Sequence, residues 1–439
     1  AAWLEKQILY FSPSFIINAT SFSGKGKNGN SPLDKANVPV FQIALSTSNR
    51  AAWAESARGL SPADMAMHVV LPEVDGRIFA GVVSFKEPEA MDEALQFAPV
   101  GHQPDEERIN AICAKIVKWH TLQKTPIQKQ KLALILSTYP GRPWQMAHAV
   151  GLDAIASAQA ILEDLGYNIE TKNQPFESLL TNKTMSWDIA SYKTALREVP
   201  LSLQEELHSV WGAPETDVLA VNGSFNFTSL SFGNAMVALQ PERGIKQNRD
   251  GEYHDISRTP CHSYVAFYLW LQKVMKVDAI IHVGAHGTLE WLPGKAVALS
   301  DNCWPEVLAG NMPIIYPFII NDPGEAAQAK RRIGAVTLGH IPPPLKKANT
   351  PEQFSQLESL LDEFSIADGL DPKRRDRLKS DIICEAESLG IAKDLEVNFN
   401  KDPTGILTRI DAFVCDIKES QFADGLHIFG RGGQRQTVF

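Results

Sequence analysis

Short apolar runs recur along the chain, and their lengths set the fold. Residues 15–19 (FIINA), 38–45 (VPVFQIAL), 68–71, 132–136 (LALIL), 217–222 (DVLAVN), 236–239 and 277–283 (VDAIIHV) are brief and largely aliphatic. Runs of this length without polar alternation predict strands buried on both faces of a parallel sheet. Between them lie stretches with helical spacing. Residues 106–122 predict a helical connector, and Ile155, Ala158, Ile161, Leu162 and Leu165 form one apolar face before Gly166 stops the helix. Helices are also predicted over 266–275 and 326–333. Alternating strands and helices give an α/β class with two doubly wound, mainly parallel sheet units. After Pro342-Pro343-Pro344, segments 351–364 and 371–396 turn charged and amphipathic, which predicts a C-terminal helical segment. The expected domains are 1–125, incomplete at its N-terminus, then 126–345, then 346–439.

Composition narrows the function. With 44% hydrophobic residues the 439-residue chain can fill more than one core. A net charge of -9 leaves no broad basic face, which argues against nucleic acid as the main partner. Its five cysteines are scattered and never spaced as CxxC, as expected of a reducing cytoplasm and not of a zinc ribbon. No apolar run approaches the ~20 residues of a membrane span. The glycine-rich stretch 21–31 imitates a phosphate loop, but Asn30 stands where lysine is required, so it is expected to be a plain loop.

The chemistry concentrates at residues 277–295. His282, His286 and Glu290 recur every four residues, with His282 at the carboxyl end of a predicted strand and Gly284 breaking it. A short helix from His286 would place Glu290 on the same face one turn later, with Pro293 ending it. Open α/β sheets bind ligands at that edge. Imidazole and carboxylate suit a borderline divalent ion such as cobalt, nickel or zinc, and the same groups can accept protons near neutrality. They could also be buried, hydrogen-bonded structural groups. The spacing departs from HExxH, which disfavours a zinc protease. His254 and His262 precede this strand in a loop and a helix start, Arg243 ends another strand where a planar fork could hold an anion, and Glu325 opens the helix that Lys330, Arg331 and Arg332 close. The turn 72–77 carries Glu73 and Asp75 at what reads as a strand end.

These stretches are similar to a known family. Residues 282–295 (HVGAHGTLEWLPGK), 316–325 (YPFIINDPGE) and 328–332 (QAKRR) resemble the family of aerobic cobaltochelatase large subunits (CobN) and magnesium-chelatase H subunits, which share an HGxxEWLPG core. Further matches are LPEVDGRI at 71–78, QPxRG at 240–244, the strand and loop before residues 150–153, and the helix start at 264–270, so the resemblance covers most of 15–345. The segment 316–332 looks like the cobalt branch, since the magnesium subunits tend to carry YYY and NNPSE there. Val283 and Ala285 fall at variable positions and remove no candidate ligand.

The resemblance implies an α/β subunit of a cytoplasmic, ATP-dependent cobaltochelatase, a ligase that forms nitrogen–metal bonds. It would insert Co(II) into the corrinoid hydrogenobyrinic acid a,c-diamide in aerobic cobalamin biosynthesis. An AAA+ ATPase subunit and a second accessory subunit would bind ATP with Mg. The alternatives are insertion of Mg(II) into protoporphyrin IX, or a tetrapyrrole-binding or docking module without catalysis. Family chains are longer, so a central portion, inactive alone, is expected. Glu290 and His286 are expected to be catalytic, His282, His286 and Glu290 to form a weak metal transit site, and Arg243, His254, His262, Lys295 and Glu325 to bind substrate.

Overall fold

The computed structural model describes residues 2–26, 29–137, 152–169, 176, 180, 183–244, 256–284, 287–319, 323–340, 354–367, 372–389, 391, 410 and 427–431. The first four strands are β1 (Ile16–Asn18), β2 (Val40–Leu45), β3 (Ile78–Pro88) and β4 (Val100–Pro104). They form one sheet in the order β1-β2-β3-β4, parallel except for the antiparallel β4. Helix Glu106–Lys124 follows, its first turn capped by Asp105, and Ile112 and Ile116 pack with Phe41 of β2.

A second sheet holds β5 (Leu132–Leu136), β6 (Thr184–Asp188), β7 (Ala220–Val221), β8 (Ser224–Phe232), β9 (Ala235–Leu239), β10 (Ala279–Val283), β11 (Ile314–Ile319) and β12 (Val336–His340). Its order is β12-β11-β10-β5-β9-β8-β6, with β7 beside β8. From β12 to β9 all neighbours are parallel, while β8, β7 and β6 add an antiparallel edge. The α/β class with parallel-rich sheets is therefore what the chain forms.

The chain order of the five parallel strands locates the crevice. From β5 the path goes to β9 on one side, then returns past β5 to β10 and moves outward through β11 and β12. The direction of winding reverses between β5 and β10, and ligands of doubly wound sheets bind outside the carboxyl ends of strands at such a switch point. All residues of β5 and β10 are buried, as the uninterrupted apolar runs anticipate. Helix His262–Trp270 is buried along its whole length, and its aromatic residues join the core of this sheet.

Two predicted strands differ in the structure. Residues 68–71 lie in a helical run, Pro62–Met65, Ala66–Val70 and Leu71–Glu73. Ser61 caps it by accepting from the Asp64 amide, with Pro62 at the first position, and this start signal outweighs the apolar His68–Leu71 stretch. Of 217–222 only β7 is extended. Asn222 and Gly223, at φ 51° and 75°, make a tight hairpin turn that pairs β7 with β8.

By contacts the chain divides into two compact units, one of residues 1–149, 154–341 and 428–430, the other of 150–153, 342–427 and 431–439. In the second, helices Ser355–Ala367 and Pro372–Ser388 bring Leu357 and Leu361 against Ile382 and Ala386, and Arg374 pairs with Glu363 at 2.6 Å. Among the described residues no helix is long and apolar enough to cross a membrane.

Leu134, fully buried at the centre of β5, tests whether the switch-point strands carry the core. Leu134→Ala should lower the unfolding free energy by about 2–5 kcal/mol in denaturant titration. A loss under ~1 kcal/mol would show that β5 is not a core strand.

Candidate functional site

His282 is the fourth residue of β10, paired in register with Ile135 of β5, so it stands at the switch point. Past it the two strands close on each other. Ser137 donates its amide to Val283 O at 3.3 Å, and a Cβ on Gly284 would lie 2.8 Å from the Ser137 Cβ, which leaves room only for glycine. The helix expected from His286 to Pro293 reduces to a single three-ten turn, Leu289–Trp291, with Glu290 fully buried inside it.

Three polar side chains meet beside Gly287. Tyr316 of β11 stacks on the His282 ring, 5.0 Å between centroids and 15° between planes, and donates its hydroxyl to Glu290 Oε2 at 2.7 Å. A Cβ on Gly287 would come within 2.4 Å of the Tyr316 hydroxyl and 3.2 Å of both Glu290 Oε2 and His282 Nδ1. A phenol, a carboxylate and an imidazole thus close on Gly287 and leave no room for a methyl. The other ring nitrogen, His282 Nε2, lies 3.4 Å from the Tyr268 hydroxyl. Gln240, just after β9, donates to both Tyr268 at 2.6 Å and Tyr264 at 3.1 Å, and Tyr264 reaches Thr288 at 2.8 Å.

Burial sets the protonation states. It lowers the His282 pKa to about 3, so its imidazole is neutral at physiological pH and better suited to offer a lone pair than to hold a proton. Nδ1 has no hydrogen-bond partner among the described residues. Burial first, and the Glu290 carboxylate second, push the Tyr316 phenol well above its ordinary range, which keeps it a donor. Arg332, lowered to about 10 by burial, remains charged at neutral pH.

The other expected site residues have separate fates. His286 and His254 lie outside the described residues. Glu325 falls in the first turn of helix Pro323–Ile333. Arg243 donates to Trp291 O at 2.7 Å, next to Glu290. His262 spends both ring nitrogens on the Tyr192 hydroxyl at 2.8 Å and Gly212 O at 3.0 Å. Lys295 directs its ammonium at the carbonyls of Trp53, Ala54 and Ser56, each at 2.8 Å, and lies over the Trp53 ring. That geometry ties the first sheet's helix Arg50–Glu55 to the loop after the site. Glu73 pairs with Lys330 and Arg331, and Asp75 with Arg77, Ser23 and Gly24, so both carboxylates of the turn 72–77 are engaged in packing. Among the described residues no three His, Cys, Asp or Glu side chains are grouped to hold an ion, and His282 with Glu290 are the described members of the HxxxHxxxE pattern.

The sequence family that fits this arrangement is CobN/Magnesium Chelatase, which matches residues 7–438. The chain belongs to the CobN/magnesium chelatase family. The chain is 36% identical over 95% of its length to the aerobic cobaltochelatase subunit CobN of a Sinorhizobium species, and 36% over 98% to that of Pseudomonas aeruginosa. It spans 34% and 36% of those relatives, about a third of their length. The catalytic subunit of cobaltochelatase from Mycobacterium tuberculosis superposes with a TM-score of 0.68 at 30% identity, covering 98% of this chain and 39% of that one. In this CobN-family chain Tyr316, Tyr268, Tyr264, Gln240 and Thr288 surround the pair His282 and Glu290.

The His282 pKa fixes the sign of a pH effect. The unfolded imidazole takes a proton below pH 6.5 while the folded one refuses it until about pH 3. Stability is therefore lost as pH falls through that window. His282→Gln removes this component. Thermal or urea unfolding should show wild type losing stability more steeply than the variant between pH 6.5 and about 3. Parallel acid limbs would mean that His282 protonates within the fold.

Proposed function

We propose that this chain is the part of a cobaltochelatase large subunit in which Co(II) and a corrinoid meet, and that the subunit inserts the ion into hydrogenobyrinic acid a,c-diamide. The observation that carries the reading is the convergence of His282 Nδ1, Glu290 Oε2 and the Tyr316 hydroxyl around Gly287. It lies at the switch point of a CobN-family sheet. The cobalt branch is favoured over the magnesium branch by the 316–332 segment and by the higher identity to the CobN relatives, 36%, than to magnesium-chelatase H subunits, 26–28%.

Insertion has two costs, stripping water from the ion and removing protons from the macrocycle's inner nitrogens. A neutral imidazole and a carboxylate can replace water around the ion and still release it to four ring nitrogens, because a mixed two-group site is weak. His282 is kept neutral by burial and serves as ligand. Glu290 and His286 each accept one displaced proton. The Tyr316 phenol holds the carboxylate in place with a hydrogen bond. ATP, with Mg, is consumed by an AAA+ partner acting with a second accessory subunit. As a transit site the pair should not retain metal tightly.

The test is Glu290→Gln in the full-length subunit reconstituted with its partners. Corrinoid binding should survive while insertion falls by at least about 100-fold, the scale of a lost general base. Wild-type turnover in the variant would remove Glu290 from the mechanism. Faster insertion of Mg(II) into protoporphyrin IX than of Co(II) into the corrinoid would move the chain to the magnesium branch.

A further inference from the structure

The three-ten turn that carries Glu290 has two successive carbonyls, and each is held by a different guanidinium. Arg332 donates through Nη1 to Glu290 O and through Nε to Lys295 O at 3.0 Å. Arg243 donates through Nη1 to Trp291 O at 2.7 Å. Both side chains are 5% exposed. They reach the turn from separate elements, Arg243 from the loop after β9 and Arg332 from the last turn of helix Pro323–Ile333, which follows β11.

Among the described residues the turn's backbone bonds include Trp291 N to Thr288 O at 3.1 Å and a long one, Leu292 N to Leu289 O at 3.4 Å. Three-ten geometry is poor, and the last carbonyls of any helix lack internal partners. Charged donors on two of those carbonyls hold the peptide unit that leaves the Glu290 Cα and the unit after it, and Arg332 spans Glu290 O and Lys295 O with its planar fork, which a point-charge ammonium would not do. Burying two guanidiniums for a mere loop contact is costly, whereas a carboxylate that must meet a reacting atom has to be placed to within about half an ångström.

We infer that Arg243 and Arg332 are positioning residues that fix the Glu290 carboxylate for the reaction, and that neither is a substrate-binding cation. The inference rests on the reading of Glu290 as proton acceptor. Arg332 is the stronger case because its donors grip both the residue itself and the start of the following loop at Lys295.

The experiment uses the full-length subunit with its partners and two lysine variants, Arg243→Lys and Arg332→Lys, with Arg332→Gln as a neutral donor control. Steady-state kinetics should show kcat lowered by about 10–100-fold, the penalty for a misplaced catalytic group, with the corrinoid KM changed less than about 3-fold. Amide hydrogen exchange across residues 287–292 should accelerate in both lysine variants, and Arg332→Gln should recover part of the protection. A raised KM with unchanged kcat would overturn the inference by assigning the arginines to substrate. Unaltered exchange across the turn would overturn it as well, whatever the kinetics. The exchange measurement needs no turnover. If Glu290→Gln were found fully active, the catalytic reading would fall while exchange still decided whether the arginines pin the turn.

Discussion

A carboxylate with no solvent exposure at the end of a parallel sheet is the constraint on which the site depends. Moving Glu290 out of water is unfavourable by several kcal/mol unless donors replace its hydration. Tyr316 supplies one donor, and it can do so because burial keeps its phenol protonated. The rest of the neighbourhood follows from that need. Gly287 has no side chain because a Cβ would collide with the same hydroxyl, and Gly284 has none because β5 and β10 meet there at contact distance. Gly287 of the HGxxEWLPG core and Gly284 just before it are thus explained by space.

Charge placement extends this logic outward. Lys330 and Arg331 at the end of helix Pro323–Ile333 reach Glu73, whereas Arg332, one residue later, turns inward to the backbone of the site. Successive positions on a helix point about 100° apart, so one basic cluster serves two partners. Lys295 works in the same direction from the other side, with its ammonium spread over three carbonyls of the first sheet's helix. The Glu290 turn is therefore attached to both sheets of its unit, and a shift of one sheet against the other would be felt at the carboxylate.

Much of the fold was legible because its central strands obey one strong rule. β5 and β10 are buried on both faces, so they contain only apolar residues apart from His282, and such runs are hard to misread. Helices Glu106–Lys124 and Ala154–Asp164 also lie where their periodicity puts them. What failed was local. Residues 68–71 are as apolar as a strand, and only the Ser61-Pro62 start signal several residues earlier decides for a helix. The hairpin at Asn222-Gly223 carried its turn signature openly, but the apolar run before it drew the boundary too far. The antiparallel strand β8, half-buried and alternating, has Phe225 and Phe227 pointing one way and gives a weaker signal than β5 or β10.

For the site, residue types were legible and their partners were not. His282 and Glu290 stand out by spacing, yet spacing is silent on which side chains from other elements complete them. His262 and Lys295 matched the chemistry of substrate contacts, and only three-dimensional placement reveals donors occupied by carbonyls and a tyrosine. A signal for the missing partners did exist. Gln240, Tyr264, Tyr268 and Tyr316 are polar groups set within or at the end of otherwise apolar elements, and a buried polar atom has to find another. Four such groups on neighbouring elements, with a histidine on the strand between them, are placed to satisfy that requirement by meeting one another. The hydrogen-bonded cluster around His282 could be anticipated on that ground, even where the pairings within it could not.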